Sequence, residues 1–141
     1  MQTSNINAYL GLTNAQPIRS TYDLVLLSRQ GITKKAVDTL AQRLSIPLPV
    51  LFDVLHVSAR TWQRYTNDKL LPQNVTEHAL LLARLYDRGE RVFGDLDRFK
   101  AYMTHPIIAL NGKRPIDLLD TTFGFQLIHD EITRIEHGVL A

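Results

Sequence analysis

The sequence predicts an all-α protein. Apolar residues recur at helical spacing in one segment after another, and the segments open at capping residues and close at Gly or Pro. Sustained period-2 alternation is missing, and Asn111-Gly112 sits between Ala109-Leu110 and Lys113-Arg114 rather than between β-branched runs. At most one short strand fits this pattern. The 141 residues, 45% of them hydrophobic, suffice for the core of one domain or two small ones.

Residues 1–20 mix Asn, Thr, Gln, Ser and Pro17 with few spaced apolar positions, and are expected to form a flexible or partner-ordered arm. Leu24 and Leu27 mark a helix over residues 22–30, which Gly31 stops. Thr33 then caps a clearly amphipathic helix carrying Ala36, Val37, Leu40, Ala41 and Leu44. Two short helices follow, over residues 47–55 and, capped by Ser58, up to about residue 66. Pro72 marks a boundary, so a division into residues 21–70 and 71–141 is expected. Asn74 with Glu77 has the form of a capping box opening a long helix towards Phe93, and Gly94 closes it. Asp95 caps a helix that ends near His105, because Pro106 disfavours helical geometry before it. Pro115 starts one turn, and Thr122 opens the last helix, with Phe125, Ile128, Ile132 and Ile135 as its apolar stripe and Gly138 beyond its end.

Composition removes several function classes. The absence of cysteine excludes disulfide scaffolds, thiol nucleophiles, iron–sulfur clusters and cysteine zinc sites. No apolar run approaches the roughly 20 residues of a membrane span, and the start lacks a basic region followed by an apolar stretch. A cytoplasmic protein with no membrane partner is expected. The charge is uneven: residues 1–70 hold eight Lys/Arg against four Asp, +4, whereas residues 71–141 hold eight basic and ten acidic residues, −2. This asymmetry points the N-terminal half towards nucleic acid.

Residues 40–66 have the plan of a helix-turn-helix, with Val54, Val57 and Trp62 filling the corner. The second helix of such a unit enters the major groove N-terminal end first. There Ser58, Arg60, Thr61, Gln63 and Arg64 are available. Arg pairs bidentately with guanine, Gln with adenine, and Ser or Thr holds phosphate. The C-terminal half offers no comparable constellation. His129, Asp130, Glu131, Glu136 and His137 look ligand-rich, but the two histidines are about 12 Å apart along a helix with Thr133 between them, so a solvated or partner-facing surface is expected. With no Gly-rich phosphate loop, no HExxH and no nucleophile elbow, neither an enzyme nor a bound cofactor or metal is expected.

One ordered run of motifs adds a resemblance. Arg60-Thr61-Trp62-Gln63-Arg64, Leu71-Pro72, Val92-Phe93-Gly94, Pro106, Ala109-Leu110-x-Gly112-x-x-Pro115, Leu118-Leu119-Asp120-Thr121, Gly124 and Arg134-Ile135-Glu136-His137-Gly138 together resemble the Xre/MbcA/ParS family of bacterial antitoxins. The resemblance runs from about Gly31 to the end and departs from the family at Thr76 and His78, where Ser and Arg are common. It implies an Xre-like helix-turn-helix domain that binds operator DNA and represses its own operon, followed by a small helical toxin-binding domain. It further implies a RES-domain toxin that consumes NAD as the partner, covered at its active site by the last helix and tail. On this chain those positions are Arg134, His137, Gly138 and Val139, the arginine matching groups meant for a charged nucleotide. A homodimer and larger toxin–antitoxin complexes are also implied. The alternatives are a stand-alone helix-turn-helix repressor whose C-terminal domain dimerises, and a small hydrolase using His129 and Glu136.

Overall fold

A computed structural model describes residues 5–138. These form helices α1 (Ile6–Tyr9), α2 (Thr21–Gln30), α3 (Lys34–Leu44), α4 (Leu48–Leu55), α5 (Ala59–Arg64), α6 (Gln73–Phe93), α7 (Leu96–Met103) and α8 (Thr122–Glu136), with 3₁₀ turns at Ile108–Leu110 and Pro115–Leu118. Among the described residues the only β pairing is two isolated bridges, Thr33 with Leu70 and Ile107 with Lys113. The all-α expectation holds.

The chain divides into two compact units, Met1–Arg84 and Leu85–Ala141. The division therefore falls inside α6, not at residue 70. Pro72 is no linker residue: its carbonyl accepts the Thr76 N–H at 2.9 Å, so it occupies the N-cap of α6. Asn74 consequently lies within the first turn, and the expected capping box does not form. The early part of α6 then supplies Val75, Ala79, Leu82 and Ala83 to the buried set of the first unit.

In the first unit α3 is the central helix, with Val37 and Leu40 wholly enclosed. Its start is tied to the segment after α5: the Lys34 and Lys35 N–H groups donate to the carbonyls of Lys69 and Asn67 at 3.2 and 3.0 Å, and the Leu71 N–H to that of Ile32 at 2.9 Å. Gly31 has φ +94, and a Cβ there would lie 2.9 Å from the Leu71 carbonyl oxygen, so only glycine allows this approach. Thr76, one of the two departures from the family pattern, is fully buried. Its hydroxyl accepts the Ile32 N–H at 3.4 Å and donates to the Leu71 carbonyl at 3.2 Å, fastening α6 to the same seam.

The expected loose arm is corrected over its described part. Ile6, Tyr9, Leu10 and Ile18 are buried. The first three sit at i, i+3 and i+4, one turn of apolar stripe that the surrounding Asn and Thr residues mask in composition. The Arg43 guanidinium lies 5.6 Å from the Tyr9 ring centroid, and Asn7 Nδ2 donates to the Gln16 carbonyl at 2.9 Å.

The second unit packs the end of α6, α7 and α8 around an aromatic cluster. The Phe99 ring meets Tyr86 at 5.1 Å and Phe93 at 5.2 Å. A Cβ on Gly89 would come within 2.4 Å of the Phe99 ring, so this glycine sets the approach of α7 to α6. At Gly124 a Cβ would lie 1.5 Å from the Leu118 carbonyl oxygen. The start of α8 thus rests directly on backbone, while Phe125, Ile128 and Ile132 fill the core below.

Candidate functional site

The first candidate surface is the helix-turn-helix. Helix α4 ends at His56 in the left-handed region, φ 55, and the Val57 N–H still bonds the Phe52 carbonyl at 3.2 Å. Ser58 then turns the chain into α5, its Oγ accepting the Thr61 N–H at 3.0 Å. Trp62 is buried, with the Phe52 ring centroid 6.1 Å from its own; Val54 is buried as well, and Val57 is half-buried. The corner residues are those expected. Helix α5 is shorter than expected because Tyr65 is extended, φ −73 and ψ 134, and cannot continue it.

The five polar positions divide into two kinds. Arg60, Gln63 and Arg64 are exposed and available to base edges or phosphates. Ser58 and Thr61 are partly committed, since the Ser58 hydroxyl donates to Thr61 Oγ1 at 3.0 Å as part of the cap. Lys34 is a residue that pattern reading missed. Its ammonium donates to the carbonyls of Trp62 and Tyr65 at 2.9 and 3.2 Å and lies 5.5 Å from the Trp62 ring centroid. A cation at the C-terminal end of α5 satisfies carbonyls the helix leaves open and complements its dipole. The sequence signal is faint, because Lys34 is 28 residues away from Trp62.

The second candidate surface is the last helix. His129 and Glu136, the residues of the hydrolase alternative, converge with Thr133 on Arg88 of α6. Arg88 NH1 approaches His129 Nδ1 at 3.0 Å and donates to the His129 carbonyl at 3.1 Å; NH2 donates to Thr133 Oγ1 at 2.6 Å and lies 3.6 Å from the Glu136 carboxylate. Of the five ligand-type residues of this helix, His129 and Glu136 are thus held by an arginine clamp, while Asp130 accepts from Gln126 Nε2 at 2.9 Å and Glu131 pairs with Arg134. Among the described residues no group of three or more His, Asp or Glu can hold a metal ion.

Arg134 is exposed and bonds Glu131 at 3.0 Å, a pairing one helical turn long that solvent screens and a partner can break. Glu131 also faces Tyr102, whose phenol is pushed up first by burial and then by this carboxylate. His137 caps α8, donating its N–H to the Thr133 carbonyl at 3.1 Å, and Gly138 turns away with φ +67. Both are exposed. Val139, the fourth residue expected here, lies outside the described residues.

Comparison with known proteins yields two families in chain order. Residues 23–84 match the antitoxin Xre-like helix-turn-helix domain, and residues 88–138 match the antitoxin Xre/MbcA/ParS C-terminal toxin-binding domain. The chain is also similar to the Prs ADP-ribosylating antitoxin of Sphingobium sp. (strain YBL2), 28% identical over 95% of this chain and 88% of that protein. It is similar as well to the antitoxin Xre of Yersinia enterocolitica, 28% identical over 80% of this chain and 78% of that protein.

Proposed function

This chain belongs to the Xre/MbcA/ParS family of antitoxins, and from that premise we propose that it silences a NAD-consuming RES-domain toxin by covering the toxin's active site and represses its own operon. The observation that carries the proposal is the order of the two matched domains, a helix-turn-helix followed by a toxin-binding domain. No described helix is long and apolar enough to cross a membrane, and we assign the chain to the cytoplasm.

In this reading Arg60, Gln63 and Arg64 contact the operator, Ser58 and Thr61 shape the helix start that meets the phosphate backbone, and Lys34 positions the helix from behind. A six-residue helix reads few base pairs, so the repressor acts as a homodimer on two half-sites. At the other end Arg134 exchanges Glu131 for anionic or carboxylate groups at the toxin's nucleotide site, and His137 with Gly138 forms the blunt end that fills the mouth. Val139 extends the same contact. The chain acts by occupancy, needs no cofactor, and assembles with toxin into a larger complex.

The test is co-expression with the protein of the adjacent gene, followed by co-purification and an electrophoretic shift on the DNA upstream of the pair. A stable complex that retards this DNA is the expected result. Retardation without any complex would leave a stand-alone repressor whose second domain dimerises.

A further inference from the structure

Helix α8 carries three kinds of surface around its axis. Phe125, Ile128 and Ile132 face the core, and His129, Thr133 and Glu136 turn towards Arg88 on one flank. At 100° per residue, positions 123, 127, 130 and 134 follow each other at 4-3-4 spacing and form a third stripe, opposite the core. Phe123 and Leu127 begin it, 86% and 42% exposed, and Arg134 ends it, roughly 16 Å further along the axis. Single exposed apolar residues are ordinary, but here two stand one turn apart in line with the cation assigned to the toxin's mouth.

The stripe is held firmly. Thr121 Oγ1 accepts the Gly124 N–H at 2.9 Å, and Gly124 itself sits against the Leu118 backbone, so the turn bearing Phe123 has no room to shift inward. Arg88 fixes the later turns through the flank and leaves the third face untouched. A large aromatic on a preorganised helix is the kind of residue that dominates interface energetics, since little conformational entropy is lost when it is buried. All of these positions lie within the segment matching a toxin-binding domain.

We propose that the outer face of α8 lies lengthwise on the toxin, with Phe123 and Leu127 seated in an apolar depression and Arg134 with His137 delivered to the active-site mouth. The proposal rests on the toxin-neutralising reading above and divides that surface into an anchor, which sets affinity, and a plug, which sets inhibition. Phe123 is the dominant anchor.

The test uses the full-length chain and the purified protein of the adjacent gene, with affinity measured by calorimetry and inhibition by NAD consumption. Phe123→Ala is expected to weaken binding at least tenfold, Leu127→Glu to do the same, and Phe123→Leu to restore most of the loss. At saturating concentration Phe123→Ala still inhibits fully, whereas Arg134→Ala leaves residual NAD turnover in a complex that forms. Phe123 is almost wholly exposed, so Phe123→Ala leaves melting temperature and DNA binding unchanged, and Leu127→Glu, at a position more than half covered, is scored only if its melting curve shows a folded chain. If the wild-type chain binds the toxin and both anchor variants bind equally well, the anchor is wrong although the toxin reading stands. If the wild-type chain does not bind at all, both fall. A wild-type dimer that becomes monomeric in Phe123→Ala with unaltered toxin affinity would assign this face to a second copy and overturn the proposal.

Discussion

Replacing Lys34 by Met keeps most of the unbranched side chain and removes its charged end. Two bonds are lost, 2.9 and 3.2 Å long, to the carbonyls of Trp62 and Tyr65, together with the ring contact at 5.5 Å. The Trp62 carbonyl keeps the Tyr65 N–H at 3.2 Å, so the loss falls mainly on the Tyr65 carbonyl. A hydrogen bond to a charged group contributes about 1.5–3 kcal/mol, and water reaches this half-buried site to replace part of it, so the net loss is about 2 kcal/mol. For a domain of this size that lowers the melting temperature of the first unit by roughly 8–16 °C. Trp62 is the single tryptophan, and its fluorescence reports directly on the corner being loosened. The operator affinity of Lys34→Met should fall with no change in the slope of log K against log salt, because Lys34 faces carbonyls and not phosphate. A slope reduced by about 0.9 would show that Lys34 itself neutralises a phosphate rather than positioning α5.

The double variant Arg60→Ala, Arg64→Ala should lose up to about two units of that salt slope while toxin neutralisation stays intact, read by filter binding and by growth of co-expressing cells. Gly124→Ala places a Cβ 1.5 Å from a carbonyl oxygen and should destabilise the second unit by about 3 kcal/mol or more, abolishing toxin binding while DNA binding remains. Arg88→Met, which unpairs the flank of α8, should cost about 1–3 kcal/mol and weaken neutralisation although Arg134 is untouched; unchanged neutralisation would make the clamp dispensable. Burial pushes the Tyr86 and Tyr102 phenols up, so their neutral forms favour the folded state and this contribution is complete below about pH 10. Stability of the second unit should therefore decline as pH rises beyond 10, and Tyr86→Phe should flatten that decline in denaturant titrations.

Most helices were legible because their start and stop chemistry is local: Thr33, Ser58, Asp95 and Thr121 all accept the N–H three residues on. Local signals also mislead. The pair Asn74 and Glu77 imitates a capping box, but Pro72 takes the cap position because its fixed φ suits a helix entry and its carbonyl is free to accept. The arm hides a one-turn stripe too short for periodicity to register, and its burial depends on contacts such as Arg43 on Tyr9, which are distant in sequence. At the sites, exposure of Arg60, Gln63, Arg64 and Arg134 follows from their helix phases. The residues that hold those helices, Lys34 and Arg88, act across 28 and 41 or more positions and carry no local mark. The run His129, Thr133, Glu136 was the available clue, since three acceptors on one flank call for a donor.

The most direct measurement follows NAD consumption by the purified protein of the adjacent gene while this chain is titrated in. Turnover by that protein alone is expected, with a linear fall to zero at a fixed stoichiometry and with Arg134→Ala leaving residual turnover at saturation. Turnover that persists in a demonstrable complex with the wild-type chain would contradict inhibition by coverage of the active site.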